Sequence, residues 1–233
     1  MTIEKFMTIL QGILVLTGVI VVFSFLFFKR RTLQIKLLGA HFLAPILVYY
    51  SLGVFDLRGM QVNVPHNVEL LFSFLTITAI YYIQFQKRYS RLFLTLGVFF
   101  IIFWFTNILF IQKMFFNSFT ASFLNFIIMA YCVTYFYRLL IDLPAQHLQQ
   151  VPMFWISTGF LVQGAGAFFL YLFTDYLTKF FFNDVLIYWT IHNLMGIFQL
   201  ILVIIGVSID LRNTIQASRK DKPIGSSRES LLH

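Results

Sequence analysis

Residues 142–166, DLPAQHLQQVPMFWISTGFLVQGAG, contain the only two prolines of the chain that bracket a short polar connector between long apolar runs. Pro144 and Pro152 delimit this connector, because proline lacks a backbone donor and biases the residue before it away from the helical conformation. The apolar runs on both sides reach about 20 residues, which is the helical length that spans a hydrocarbon core of about 30 Å. The stretch therefore predicts membrane-spanning helices joined by short connectors.

The composition of the whole chain supports this prediction. Apolar residues make up 59% of the 233 residues and charged residues only 11%, whereas charged residues form about a quarter of a soluble domain. The formal net charge of +8 is expected to set membrane topology and not to bind nucleic acid. The only cysteine, Cys132, lies in an apolar run, so no intrachain disulfide is possible and we interpret it as a small core residue.

Seven apolar runs are long enough to span a membrane. They cover residues 7–28, 35–54, 68–84, 92–111, 119–141, 153–174 and 185–209. The first run lacks a small-x-small cleavage site and leads directly into Lys29, so we expect a retained helix and not a signal peptide. The sequence thus predicts an all-α, polytopic bundle of seven transmembrane helices over residues 1–212. It is followed by a basic cytosolic tail over 213–233 that is disordered or lies on anionic lipid.

The basic residues are distributed unequally between the two sides of these seven runs. One side carries Lys29, Arg30, Arg31, Lys36, Lys87, Arg88, Arg91, Arg138, Arg212, Arg219, Lys220, Lys222 and Arg228, and the other carries Lys5, Arg58, Lys113 and Lys179. By the positive-inside rule, this asymmetry predicts an N-terminus outside and a C-terminus in the cytosol. We expect a multi-pass membrane protein in contact with membrane lipids.

The distribution of charged residues also argues against several functions. Every Asp, Glu, Lys and Arg falls in a connector, a tail or an end turn of the predicted spans, whereas proton-coupled transporters and voltage sensors place such residues within the membrane. The seventh run has no lysine for a retinal Schiff base. His41 and His192 are expected in opposite halves of the bilayer, too far apart to share a metal, and His66 with Glu69 is interpreted as a helix start. The sequence therefore predicts neither an enzyme nor a cofactor or metal.

Neutral polar residues with aromatic neighbours are the remaining candidates for a site. Those in the outer half and near the midplane are Trp104, Asn107, Asn125, Gln163, Trp189, His192 and Asn193. One interpretation is that they form hydrogen bonds between helices. The other is a mostly apolar ligand or lipid pocket that is reached from outside, in which a few polar groups orient the ligand.

Small residues make the sixth run narrow and predict the close approach of a neighbouring helix. Residues proposed to couple this helix to a cytosolic partner are Pro144, Pro152, Trp155, Gly159 and Gly164. The hypothesis is that movement of the sixth helix reaches the cytosolic connector.

Residues 143–172 resemble the membrane-embedded modules found upstream of some bacterial sensor histidine kinases. The matching positions are Pro152, Phe154, Trp155, Ile156, Gly159, Gly164, Phe169 and Leu170. The kinase's histidine-containing dimerisation helix and ATP-binding domain have no counterpart in this sequence. The resemblance thus implies a multi-pass sensory or regulatory module of a bacterial inner membrane, which acts in trans on a histidine kinase or another signalling partner. A homo-oligomer stays open.

The alternative function is a transporter, channel or scramblase for a neutral or lipid-like substrate. It predicts a continuous polar path across the membrane. The cytosolic half of the predicted bundle contains few polar residues beyond His41, Ser73, Thr76 and Thr78.

Overall fold

A computed structural model describes residues 3–26, 31–57, 63–86, 88–112, 117–142, 145–180 and 185–220, and within these ranges the regular structure is entirely helical. The helices are α1 (Ile3–Leu26), α2 (Leu33–Leu57), α3 (Asn63–Gln84), α4 (Ser90–Thr106), α5 (Ser118–Asp142), α6 (Pro152–Leu172), α7 (Thr174–Phe180) and α8 (Val185–Lys220). A π-helical turn, Asn107–Ile111, follows α4, and a 3₁₀ helix, Ala145–Gln150, precedes α6. The predicted all-α class is confirmed.

Four helical stretches in the described part of the chain are long and apolar enough to cross a membrane. They are Ser90–Ile111, Ser118–Ile141, Pro152–Leu172 and Ile187–Ala217. Shorter apolar stretches, Gly12–Val22 and Leu33–Val48, lie on α1 and α2. These lengths and compositions support a multi-pass membrane protein.

Six of the long helices form a closed ring. Each packs against the next in the order α1, α2, α3, α5, α6, α8, and α8 returns to α1. The contacts of α6 with α5 and α8 are the most extensive, whereas the contact between α3 and α5 is the smallest in the ring. The ring therefore surrounds a central space with α6 as its best-packed wall.

Helix α4 lies outside this ring, against α3 and α5. The rings of Phe74 and Phe100 stack with centroids 3.9 Å apart, and Phe93 stacks on Tyr131 at 5.2 Å. Aromatic contacts of this kind add to dispersion, which is a main source of helix association where lipid is as apolar as the side chains. Aromatic packing thus holds α4 over the contact between α3 and α5, the smallest in the ring.

One end of the ring is closed by polar contacts between chain segments far apart in sequence. Arg31, two residues before the start of α2, donates from Nη1 to the Asp210 carboxylate at 2.8 Å and to the Val207 carbonyl at 3.0 Å. Gln34 donates to Gln84 at 2.8 Å. Removing either partner of a buried ion pair leaves an uncompensated charge, so Arg31 fixes the start of α2 against α8. We call this end the Arg31 end.

Glycines bring the backbones of α6 and α8 together. A Cβ atom added at Gly159 would lie 2.9 Å from the Gln199 carbonyl oxygen, and one added at Gly206 would lie 2.7 Å from the Pro152 carbonyl oxygen. Backbone atoms cannot yield as flexible side chains do, so both positions require a residue without Cβ. The predicted close approach at the sixth run is confirmed, and α8 is the neighbour at Gly159.

The structure differs from the sequence prediction at two chain segments. The predicted sixth run extends to 174, but α6 ends at Leu172, and a turn at Phe173 leads into α7, which the sequence reasoning missed. Helix α8 continues to Lys220, so the predicted disorder is wrong for 213–220, while 221–233 lie outside the described residues. Extending a formed helix costs much less than nucleating one, which explains why these polar residues remain helical.

We predict that Gly206→Ala lowers the free energy of unfolding by about 1–3 kcal/mol, because its Cβ would overpack against α6. The matched control is Gly97→Ala on α4, where an added Cβ meets nothing within 4 Å. The control should be neutral or slightly stabilising, since alanine favours helix. Thermal unfolding of both variants in the same detergent measures the difference, and equal stabilities would contradict the role assigned to Gly206.

Candidate functional site

The ring encloses a cavity of about 440 Å³, which lies within the range of small-molecule sites. All six ring helices contribute to its wall. The lining residues with polar side chains are His41, His66, Glu69, Ser73, Asn125, Gln163, Tyr171, His192, Asn193 and Gln199, and the rest of the wall is apolar apart from glycines. An apolar wall with a few convergent polar groups is the usual form of a ligand site.

The exposure of the residues along α3 shows where the cavity opens. The side chains of His66 and Glu69 are 41% and 22% exposed, whereas Ser73 and Ile77, further along the same face of α3, are buried. The mouth thus lies where α3 begins and α6 ends, at the end of the ring opposite Arg31. The floor lies deeper, near Ile77.

An aromatic cluster stands beside the mouth. The Tyr171 hydroxyl lies 3.5 Å from His192 Nε2, at the limit of a hydrogen bond. The two rings meet edge to face at 5.4 Å, and Trp189 packs edge to face on both of them. This packing restrains the imidazole of His192 while leaving it on the cavity wall.

Two polar atoms of the lining are buried without a hydrogen-bond partner among the described residues. They are Gln163 Oε1 and His192 Nδ1. A buried polar atom without a partner costs about 1–3 kcal/mol, and native structures contain few of them. Gln163 Oε1 can accept a hydrogen bond, and His192 Nδ1 can donate or accept one depending on its tautomer. Both atoms lie on side chains that a bound molecule can reach from the cavity.

A packed layer closes the cavity below the floor. His41 lies at the floor, with Nδ1 3.4 Å from Thr76 Oγ1 and its ring 5.5 Å from that of Phe160. Beyond it, Tyr81 donates to Ser157 at 2.9 Å. The fully buried residues of the same layer include Leu38, Ile80, Tyr81, Ile156 and Val203. Close packing here separates the cavity from the Arg31 end.

The structure brings together four of the seven residues predicted for a pocket. Asn125, Gln163, His192 and Asn193 line the cavity, as does the proposed coupling residue Gly164. Three do not line it. Trp189 stands behind His192, Trp104 donates to the Asn67 carbonyl at 3.1 Å, and Asn107 belongs to a separate polar cluster.

The Asn107 cluster joins the π-helical turn after α4 to the start of α5. Asn107 Nδ2 lies 2.9 Å from both Gln112 Oε1 and Thr120 Oγ1 and also contacts Asn117 Oδ1, so its two hydrogens are shared among three acceptors. Gln112 in turn donates to Ser118 at 2.9 Å. Asn107 therefore fits the interpretation in which the polar residues form hydrogen bonds between helices.

The sequence reasoning did not include several lining residues in the pocket. The sequence pattern favours a helix start for His66 and Glu69, and it predicts His41 in the opposite half of the bilayer from His192, too far away to share a metal. The sequence does contain one indication that these residues belong together. One face of α3 carries residues that recur at helical spacing, namely His66, Glu69 or Leu70, Ser73 and Ile77. Tyr171 carried no such signal, since its position depends on the contact between α6 and α8.

The other proposed coupling residues lie along α6 and its connector. Pro152 occupies the first turn of α6, and Trp155 donates from Nε1 to the Gln149 carbonyl at 3.0 Å. Gly159 faces α8, and Gly164 faces Met129 on α5. Pro144 lies outside the described residues.

Within the described part of the chain, no group of three or more His, Cys, Asp or Glu side chains is placed to hold a metal ion. No model of a known protein family matches the chain, and no curated protein or solved structure shows significant similarity to it.

We predict that Gln163→Met leaves the ligand-free protein as stable as before or stabilises it by about 1 kcal/mol, because it removes an unpartnered buried oxygen at similar volume. The matched control is Gln34→Met, which breaks the hydrogen bond to Gln84 and should destabilise by about 1 kcal/mol. Thermal unfolding without added ligand compares the two. A larger loss for Gln163→Met would show that its side chain is needed for the fold.

Proposed function

We propose that this chain is a seven-helix protein of a bacterial inner membrane, with its N-terminus outside, that binds a small ligand in the ring cavity and signals to a partner in trans. The lengths of α4, α5, α6 and α8 support membrane insertion. The closure of the ring through α1, α2 and α3 supports membrane placement for these helices as well. Helix α3 contributes His66 and Glu69 to the cavity wall.

The distribution of basic residues supports the orientation. Arg31 pairs with Asp210, and Arg138 near the end of α5 lies over the ring of Phe85, 5.6 Å from its centroid. These arginines belong to the more basic side of the chain, and that side is expected in the cytosol. The cavity mouth lies at the opposite end and would therefore face outward.

The single observation that carries the proposal is a cavity that opens beside His66 and Glu69 and has a packed floor. A channel needs a continuous path, but the layer of Tyr81, Ile156 and Val203 is fully buried. A cavity closed in this way can hold a ligand without conducting it. Binding, and not conduction, is therefore the function that this geometry favours.

Helix α6 provides a route for signalling. Gln163 and Gly164 line the cavity, while Trp155, near the start of the same helix, contacts the connector that ends at Gln150. A ligand that shifts α6 against α8 would move this connector at the Arg31 end. The resemblance of residues 143–172 to modules upstream of histidine kinases supports a signalling partner there.

Ligand binding is tested by filling the cavity. Ala167 lines the cavity and is buried, and Ala167→Leu should reduce the affinity for a small neutral probe such as 2-phenylethanol by about tenfold or more, equivalent to about 1.4 kcal/mol. Ala130→Leu on the exposed face of α5 is the matched control and should leave the affinity unchanged. Ligand-observed NMR on lipid nanodiscs, with empty nanodiscs as blank, measures both. Equal affinities in the two variants would contradict binding in the cavity.

Orientation and transport are tested by thiol accessibility in a Cys132→Ala background. A membrane-impermeant maleimide applied to spheroplasts should label His66→Cys at the mouth and Ser73→Cys inside the cavity, but not Lys36→Cys near the Arg31 end. In inverted vesicles only Lys36→Cys should react. Labelling of Ser73→Cys from both sides would indicate alternating access and favour the transporter, and the reverse pattern at His66→Cys would contradict the orientation.

A further inference from the structure

The charges on the cavity wall restrict the ligands that it can accept. Glu69 is the one carboxylate among the described lining residues, and none of these residues is Lys or Arg. The other polar groups are amides, hydroxyls and imidazoles. Burying a charge is costly unless an opposite charge compensates it. Among the described lining residues, the Glu69 carboxylate can compensate a cation, whereas no permanently positive side chain can compensate an anion.

Glu69 is placed to receive a charged group that enters through the mouth. Its side chain is 22% exposed, between His66 at the rim and buried Ser73. Its Oε2 lies 3.4 Å from His66 Nδ1, which is a long contact. A carboxylate offers about four lone-pair sites, so it can accept further N–H donors while it keeps this contact.

The groups around Glu69 suit the remainder of such a ligand. Tyr171 and His192 provide aromatic surface near the mouth, and aromatic faces attract cations. Deeper in the cavity, Gln163 Oε1 lacks a donor among the described residues, and the surrounding wall includes Leu124, Ile128 and Leu200. The wall can therefore hold an apolar body, with an amide available for one further polar group.

We propose that the cavity binds a monocationic amine with an apolar or aromatic body, whose ammonium group donates hydrogen bonds to the Glu69 carboxylate at the mouth. This inference rests on the proposed function, since it specifies the ligand class of the same cavity. The same electrostatics disfavours fatty acids and other anionic amphiphiles.

The test uses three probes with similar phenylalkyl bodies and different charges: 2-phenylethylammonium, 2-phenylethanol and 3-phenylpropanoate. Binding to the full chain is measured by ligand-observed NMR in phosphatidylcholine nanodiscs at fixed ionic strength, because exposed charges are screened by salt, with empty nanodiscs as blank. The ammonium probe should bind about tenfold more tightly than the alcohol, and the carboxylate probe should bind most weakly.

Two variants assign this preference to Glu69. In Glu69→Gln the preference for the ammonium probe over the alcohol should disappear, and Glu69→Asp should keep this preference. If the ammonium probe binds no more tightly than the alcohol in the unaltered protein, or if Glu69→Gln retains the preference, the inference is wrong. The proposed function is tested separately. If Ala167→Leu loses binding of the alcohol probe, ligand binding in the cavity is supported whatever the charge preference is.

Discussion

The close approach of α6 and α8 is the constraint on which the rest of the structure depends. At Gly159 and Gly206 the backbone of each helix occupies the space that a Cβ of the other would need. In a membrane, helices gain little from the hydrophobic effect on associating, so short backbone distances and the resulting dispersion stabilise the pair. The position of α6 then determines where Gln163 and Tyr171 meet the residues of α8 across the cavity.

Buried polar groups are paired in some parts of the bundle and unpaired in others. Toward the Arg31 end, Arg31 pairs with Asp210 and Tyr81 donates to Ser157, but the Tyr135 hydroxyl is buried without a partner among the described residues. On the cavity wall, Gln163 and His192 likewise retain buried atoms without partners in the described part of the chain. Satisfied networks rigidify a fold, whereas each unsatisfied buried group costs about 1–3 kcal/mol. Gln163 and His192 differ from Tyr135 in lining the cavity, so a molecule in the cavity can reach them.

Individual residues show how far prediction from the sequence reached. Gln163 and His192 were identified from their polarity within apolar runs, because such residues are costly in a membrane and need a reason to be there. Asn107 was chosen on the same grounds but binds Gln112 and Thr120. Polarity alone does not distinguish a ligand-facing amide from one that joins two helices. The distinction depends on which helix stands opposite.

The sequence by itself determined the helical class, the apolar runs and the narrow face of α6, because hydropathy and small side chains act through local spacing along the chain. Only the tertiary structure decided that six helices close into a ring with α4 outside, that His41 and His192 line one cavity, and that Glu69 lies at its mouth. These features depend on the order of the helices around the ring and on the rotation of each helix about its axis. Both are set by packing between residues distant in sequence, such as Gly206 with Pro152, and no local pattern records such contacts.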